Sequence, residues 1–445
     1  MQHQRLRRDG PKDSGATPAR NRQPVKVSLV SLGCPKNQVD AEMMLGQLAG
    51  AGYQIEDAPE RADLVVVNTC GFIQEAKEES IQIILQATEL KRTGCCQAVV
   101  VSGCLPQRYS RELPSLLPEV DAFVGTGEFP RIAEIASAAL TRSTLKRTWV
   151  TGHTALVTAD LPRRLLSPSH FAYVKIAEGC DRPCTFCAIP GIRGRMQSRA
   201  LADIVAEVRQ LAAAGVREII LVSQDTTDYG RDLGETHGLL RLLEALLAIP
   251  SFSWIRLHYL YPTRVTPELV KLLASEPRLC RYLDVPLQHC DAAVLKAMAR
   301  GGDARSLRRL LGRVREAVPD MTIRTSFMTG FPGETPEQFL GLLRFVEEMR
   351  FDRVGVFCYS DEEGTAAHGL PRKVPRRVAE GRRARLMAVQ AQIAEEKGRA
   401  LIGSVWDVMV DGPVVEFPGI QIQCGRTMAH APEVDGTAFL RGPTY

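Results

Sequence analysis

From residue 25 onward the chain alternates short apolar runs with amphipathic ones, a unit that recurs about every 30–40 residues. Such alternation marks parallel strands joined by helical crossovers. Parallel strands line up their carboxyl ends along one edge, and ligands of open α/β sheets bind there. The first four strands are predicted at 25–32, 64–68, 98–102 and 121–125. Cys34, Cys70 and Cys104 each stand just past one of the first three. Gly33 and Gly103 precede two of them and Gly71 follows the third, and lack of a Cβ lets a bulky object approach. Three distant cysteines are therefore expected to meet at one edge. The alternative is three small buried hydrophobes, a common use of free cysteine.

Residues 141–169 lack periodicity and read as a linker. A second series follows, with strands predicted at 171–176, 218–223, 253–257, 282–285, 321–327 and 354–359. Eight βα units close a barrel. Six predict an open (βα)6 partial barrel with its active site at the carboxyl face. The first βα loop carries Cys180, Cys184 and Cys187 as C-x3-C-x2-C. Three thiolates on a four-iron cluster leave one iron free to bind a small molecule, which suits chemistry rather than electron storage alone. A structural zinc site wants four ligands, usually in two pairs. No second pair is near, and His170 precedes the strand that leads into the loop.

Phe186 sits between two of these cysteines, and Asp225, Gln288, Gly330 and Glu334 stand at the ends of later strands. All five are candidate cofactor contacts; ordinary turn chemistry before a helix capped at Thr335 is the plainer reading of the last two. His258 and His289 are candidates for proton transfer, with a structural hydrogen-bonded role favoured. Cys95, Cys96, Cys280, Cys290, Cys358 and Cys424 show no ligand spacing and read as incidental thiols.

The net charge of +5 is concentrated in two places. Residues 1–24, polar and punctuated by Pro and Gly, read as a disordered tail. Residues 371–400 read as a basic helical connector with a solvated face. The rest is mildly acidic, which argues against a broad nucleic-acid footprint. No apolar run is long enough to span a membrane, and the start has neither a signal-peptide core nor an amphipathic transit helix. A cytoplasmic enzyme rich in reduced thiols is expected. From residue 401 short strand patterns replace the βα rhythm.

At this level of detail the strings become recognisable. S-L-G-C-P-K-N-Q-V-D-A-E, V-N-T-C-G-F-I, S-G-C-L and C-D-R-P-C-T-F-C-A-I-P-G-I-R-G resemble the methylthiotransferase branch of the radical S-adenosylmethionine superfamily. Y-L-D-V-P-L-Q-H and T-G-F-P-G-E-T are similar to further segments of it. The resemblance covers residues 25–440. It implies an amino-terminal methylthiotransferase domain at 25–140, a radical-SAM domain at 170–370 and a TRAM-like small β-barrel at 401–445. The chain stops at Tyr445, so that barrel is expected to be incomplete.

The resemblance also implies two [4Fe-4S] clusters, one on Cys34, Cys70 and Cys104 that presents sulfur, and one on Cys180, Cys184 and Cys187 that binds S-adenosylmethionine. Family members modify either an aspartate of the small-subunit ribosomal protein numbered twelve or an adenosine of transfer RNA. Pro35-Lys36-Asn37 and Ile189-Pro190-Gly191 are similar to the ribosomal-protein branch; the RNA-acting branch typically has Val-Pro-Tyr at the latter. Implied partners are a flavodoxin- or ferredoxin-like reductant, a sulfur donor and a ribosomal RNA contact. A reading from another class, a non-catalytic iron–sulfur or zinc scaffold, requires fully ligated metals, whereas both cysteine sets number three.

Overall fold

The computed structural model describes residues 24–144, 146–152, 154–413 and 422–441. The expected disordered tail, all but Pro24, lies outside them.

The amino-terminal sheet is parallel throughout. Its strand order is Gln54–Ile55, Lys26–Ser31, Leu64–Thr69, Ala98–Gly103, Ala122–Val124 and Thr148–Trp149. Runs such as LVVV and AVVV are apolar at every position because helices cover both faces. Successive residues divide between the two sides: Leu64, Val66 and Val100 face one core, Val65, Val67 and Val101 the other. Helices Pro35–Gly50 and Gln74–Thr93 carry the chain between strands. Pro35, whose missing N–H would lack an intrahelical partner anyway, opens the first.

Two of the six strands are only two residues long, too short to show periodicity. One of them, Thr148–Trp149, corrects the linker expected at 141–169. That segment completes the sheet and then binds both halves of the molecule. Val157 is fully buried, and Arg163 pairs with Glu42 of the first helix and with Glu207 of helix Leu201–Ala213.

The barrel has the six expected strands, in sequential order. Phe171–Lys175, Glu218–Val222 and Trp254–Leu257 form one parallel ribbon; Tyr282–Asp284, Thr322–Thr329 and Arg353–Cys358 form the other. Ile255 bridges to Leu279, and the Leu260 N–H donates to the Asp284 carbonyl, joining the two into one open arc. Helix Arg376–Ala400, expected as a solvated connector, instead lies along the last strand. It buries Ala379, Arg382, Leu386, Gln390 and Ile393, spaced three and four apart as one helix face requires.

The carboxyl-terminal strands Met409–Pro413, Ile422–Arg426 and Ala438–Arg441 form an antiparallel sheet. It does not stand alone, as an incomplete barrel would have to. It seats on the amino ends of the barrel strands, where Arg426 and Arg256 share the fully buried Glu218 at 2.7 and 2.8 Å. Tyr282 donates to Asp435 at 2.6 Å, and Tyr173 to Glu433 at 3.1 Å.

Removing one partner of a buried ion pair leaves an uncompensated charge, at a cost on the order of 3 kcal/mol. Arg426→Ala should therefore lower the urea midpoint and release the residues after 401 to limited proteolysis. Full resistance to protease in that variant would show that the ion pair does not hold the sheet.

Candidate active site

Cys34, Cys70 and Cys104 do lie at one sheet edge. Cys34 caps the Pro35–Gly50 helix, Cys70 follows strand Leu64–Thr69, and Cys104 opens a short helix after Ala98–Gly103. The glycines are needed for this approach. A Cβ on Gly33 would come within 2.9 Å of the Cys70 Cβ, and one on Gly71 within 2.9 Å of the Cys104 carbonyl. Asn37 ties the edge together, donating to the Leu32 and Thr69 carbonyls at 2.7 and 3.2 Å, while Asn68 donates to the Asn37 carbonyl at 2.7 Å. Burial, with the neighbouring thiols Cys104 and Cys34, pushes the Cys70 thiol up to about 12. Cys104 and Cys34 thus lie close enough to oppose ionisation of Cys70.

Cys180, Cys184 and Cys187 sit in the first βα loop at the carboxyl face of the barrel. The loop is pinned from several sides: Cys180 N–H donates to Gly194, Thr185 N–H to Met298, and Ala367 N–H to Thr185. Arg300 reaches Cys184 Sγ at 3.6 Å, and the Arg182 N–H reaches Cys180 Sγ at 3.4 Å. Burial, then the adjacent thiols, pushes Cys187 up to about 12; burial does most of the same for Cys180, at about 11. Among the described residues no three His, Cys, Asp or Glu side chains meet at a spacing that would hold a metal ion. A single tetrahedral zinc needs sulfurs about 2.3 Å from one centre. A four-iron cluster spreads its thiolates wider, and three-thiol sets beside basic side chains suit it.

Arg193, at the end of helix Ile189–Arg193 that follows Cys187, reaches from the loop of the second set to Cys104 of the first, and sequence reasoning passed over it. Its side chain is 1% exposed. Nε donates to Cys104 Sγ at 3.4 Å, Nη2 to Asn37 at 3.1 Å, and Nη1 reaches Asp40 and Glu178 at 3.0 and 2.7 Å. Lys175, on the first barrel strand, pairs with the same two carboxylates. Gln224 donates to the other Glu178 oxygen at 2.6 Å. Burial opposes ionisation of Glu178, but Arg193 and Lys175 outweigh it and hold that carboxyl well below its usual range. Cys104 also packs against Ala188 and Ile192 of the cluster loop. A signal was present in the sequence: Asp40 lies on the apolar stripe of its helix and Lys175 inside an apolar strand.

The other candidates part company. Phe186, in the cluster loop, packs against the apolar cluster of Val294, Met298, Phe331 and Ala367. Asp225 is buried and grips Arg182 of that loop at 2.6 Å, so it positions the loop. Gln288 adopts a left-handed φ of 68° while its backbone bridges to the Thr322–Thr329 strand. Gly330 and Glu334 lie just past the end of strand Thr322–Thr329. The Glu334 side chain is fully enclosed, accepting from the Gly330 N–H, from Arg382 at 2.7 Å and facing His289 at 3.4 Å. It anchors the Arg376–Ala400 helix, which explains Gly330, where a Cβ would overlap Ala379. His258 is buried, and that burial lowers it to about 4, so it is neutral near pH 7. The six incidental cysteines are all free thiols away from both sets.

Known proteins agree with this architecture. Residues 26–125 match the family described as uncharacterized protein family UPF0004, and residues 174–346 match the radical SAM superfamily. A ribosomal protein uS12 methylthiotransferase RimO from Trichlorobacter lovleyi is 47% identical over 93% of this chain and 92% of its own. That of Geobacter sulfurreducens is 47% identical over the same shares. The chain belongs to the ribosomal protein uS12 methylthiotransferase family. It is a transferase that works by radical S-adenosylmethionine chemistry, with S-adenosylmethionine and [4Fe-4S] as cofactors. Among solved structures, the radical SAM methyltransferase TsrM of Kitasatospora setae aligns at TM-score 0.55. It shares 17% identity and covers 75% of this chain and 73% of its own, a likeness of fold alone. No described helix is long and apolar enough to cross a membrane.

For this methylthiotransferase, Arg193 is the side chain that ties the loop after Cys187 to Cys104 and Asp40 of the amino-terminal domain. Arg193→Met leaves two buried carboxylates to Lys175 alone, a loss on the order of 3 kcal/mol. Arg193→Lys keeps the charge but not the planar fork. Both variants should form less methylthio product per deoxyadenosine released, Met more severely. An unchanged ratio in Arg193→Met would mean that the seam does not align the two sets.

Proposed function

We propose that this chain attaches a methylthio group to the β-carbon of an aspartate in ribosomal protein uS12, using two [4Fe-4S] clusters. Residues 25–140 would hold one cluster through Cys34, Cys70 and Cys104, and residues 170–370 the other through Cys180, Cys184 and Cys187. What supports this reading is that two three-thiol sets each lie at the carboxyl edge of a parallel sheet, with buried Arg193 linking the loop of one to Cys104 of the other. A third ligand with no fourth leaves an open iron at each centre. The names of the relatives supply the substrate.

When bound, the cofactors supply one-electron chemistry that breaks a C–H bond too weakly acidic for any side-chain base. The chain's own residues do the rest. The Arg182 backbone N–H donates to Cys180 Sγ and the Arg300 guanidinium reaches Cys184 Sγ, groups that would hold those sulfurs in place. Arg193 donates to Cys104 Sγ and ties the loop after Cys187 to the amino-terminal helix through Asp40. Phe186 and its apolar neighbours limit water beside the cluster loop. A flavodoxin- or ferredoxin-like reductant and a sulfur donor complete the requirements. Exposed Arg377 and Arg383 on the Arg376–Ala400 helix offer a contact to ribosomal RNA, and the setting is the cytoplasm.

Replacing Cys180, Cys184 and Cys187 together with Ala should abolish deoxyadenosine release and halve the iron. The same change at Cys34, Cys70 and Cys104 should halve the iron but leave that release largely intact, with product lost in both. Release abolished in the second variant while its remaining cluster is present would break the division of labour. Intact-mass analysis of uS12 from cells lacking the gene should show loss of the methylthio increment. Loss from transfer RNA instead would overturn the substrate.

A further inference from the structure

Two outer helices of the barrel, Pro267–Ser275 and Ala304–Ala317, pack side by side with a groove between them. Adjoining cavities of about 250 and 260 Å³ lie along it, and Val265, Leu310 and Arg313 line both. The floor is apolar, with Val270 and Val314 extending it. The rim is basic, carrying Arg300, Arg309 and Lys271, and no Asp or Glu lines either cavity.

The charge on this face has an order that a scatter of surface arginines lacks. Arg305, Arg309 and Arg313 are exposed and stand four residues apart, so they form one stripe along their helix. Asp303, at the head of the same helix, is turned to capping it and accepts from the Ser306 N–H at 2.8 Å. Arg308 lies off the stripe and pairs with Glu348 at 2.7 Å.

The groove meets the cluster loop at Arg300. That side chain lines the first cavity, and its Nη1 lies 3.6 Å from Cys184 Sγ. It is fixed there, because Nη2 donates to the Pro286 carbonyl at 2.6 Å and the guanidinium lies 4.6 Å from the centre of the Tyr261 ring. Arg182 lies 4.0 Å from the same ring, and the Tyr261 hydroxyl donates to the Arg300 carbonyl at 3.1 Å. One side chain therefore separates this surface from a sulfur of the second thiol set. The groove runs between outer helices, whereas substrates of such barrels sit at the carboxyl face of the strands.

We infer that this groove is the docking surface for an acidic electron-donor protein, a flavin or iron–sulfur carrier, whose electron enters beside Cys184. This rests on the reading above that Cys180, Cys184 and Cys187 hold a cluster reduced by such a donor. The step moves one electron: the donor is oxidised by one, the cluster is reduced by one, and no bond forms or breaks. Redox partners meet through small interfaces, and opposite charge steers the encounter, which suits a short groove with a basic rim. The apolar floor favours a protein over nucleic acid, because phosphates and sugars would leave Val270 and Leu310 without an apolar partner. A donor seated here leaves the carboxyl face free for the target.

The test uses the full chain with its clusters reconstituted and two probes, an acidic flavodoxin and an acidic ferredoxin. At least one should bind the wild type, more weakly as NaCl rises. Replacing Arg305, Arg309 and Arg313 together with Glu leaves Arg300 in place and should raise the Kd of that donor about 10-fold, the low end of electrostatic steering. Deoxyadenosine release driven by the donor should slow with it, while release driven by dithionite should stay at the wild-type rate. Reversing three arginines exposed elsewhere, Arg111, Arg142 and Arg209, should change neither. If the triple Glu variant loses its clusters, Arg309→Gln with Arg313→Gln takes its place. Unchanged donor binding in the groove variant, or equal weakening in both sets, would overturn the inference. So would a ribosomal RNA duplex that binds the wild type and is lost on the groove substitutions while neither donor is affected, since the groove would then be an RNA contact. If dithionite itself releases no deoxyadenosine from the wild type, the cluster reading has failed and takes this inference with it. That outcome is distinct from lost donor binding in a protein that dithionite does activate.

Discussion

The structure turns on a buried exchange of charge at the seam between its two sheets. Lys175 and Arg193 come from the barrel and its cluster loop, Asp40 from the amino-terminal helix, and Glu178 from the residue that enters the loop. Two cations and two carboxylates balance, which is the condition for such a group to be tolerated away from water. Apolar packing across the same seam would hold it closed but would not set its register. Arg193 meets Asp40, Glu178, Asn37 and Cys104 together, and so fixes the loop after Cys187 against the amino-terminal helix.

Other contacts across the seam work in the same sense. Arg163 joins Glu42 to Glu207 from the segment between the two units, and Glu362 pairs with Lys77 and Arg108 on the far side. The amino-terminal unit is therefore clamped at both ends of its contact with the barrel. A reaction that needs two centres near one carbon depends on such a clamp, because a displacement of about 1 Å already costs much of the benefit of orientation.

The barrel has a second polar end. Its amino face carries Glu218, Arg256 and Tyr282, fully buried groups that each require a partner. The short antiparallel sheet supplies those partners through Arg426, the Met428 carbonyl and Asp435. The same logic explains Glu334, whose glycine-rich surroundings suggested a ligand site. Its carboxylate is satisfied by backbone and by Arg382, and the helix that brings Arg382 is thereby fixed to the barrel.

The sequence by itself determined the parallel βα rhythm, the six strands of the open barrel and the grouping of the six cysteines. Period and punctuation are local properties, and a parallel sheet sends every strand end to one edge, so cysteines past those ends must meet. The family strings added the chemistry. Only the tertiary structure decided which charges are partners. Lys175, Asp40, Arg193 and Glu218 are single residues whose meaning lies in side chains up to 208 positions away, and no periodicity reports such a distance. The same holds for the edge strand Thr148–Trp149, whose two residues are strand only because Ala122–Val124 lies beside them.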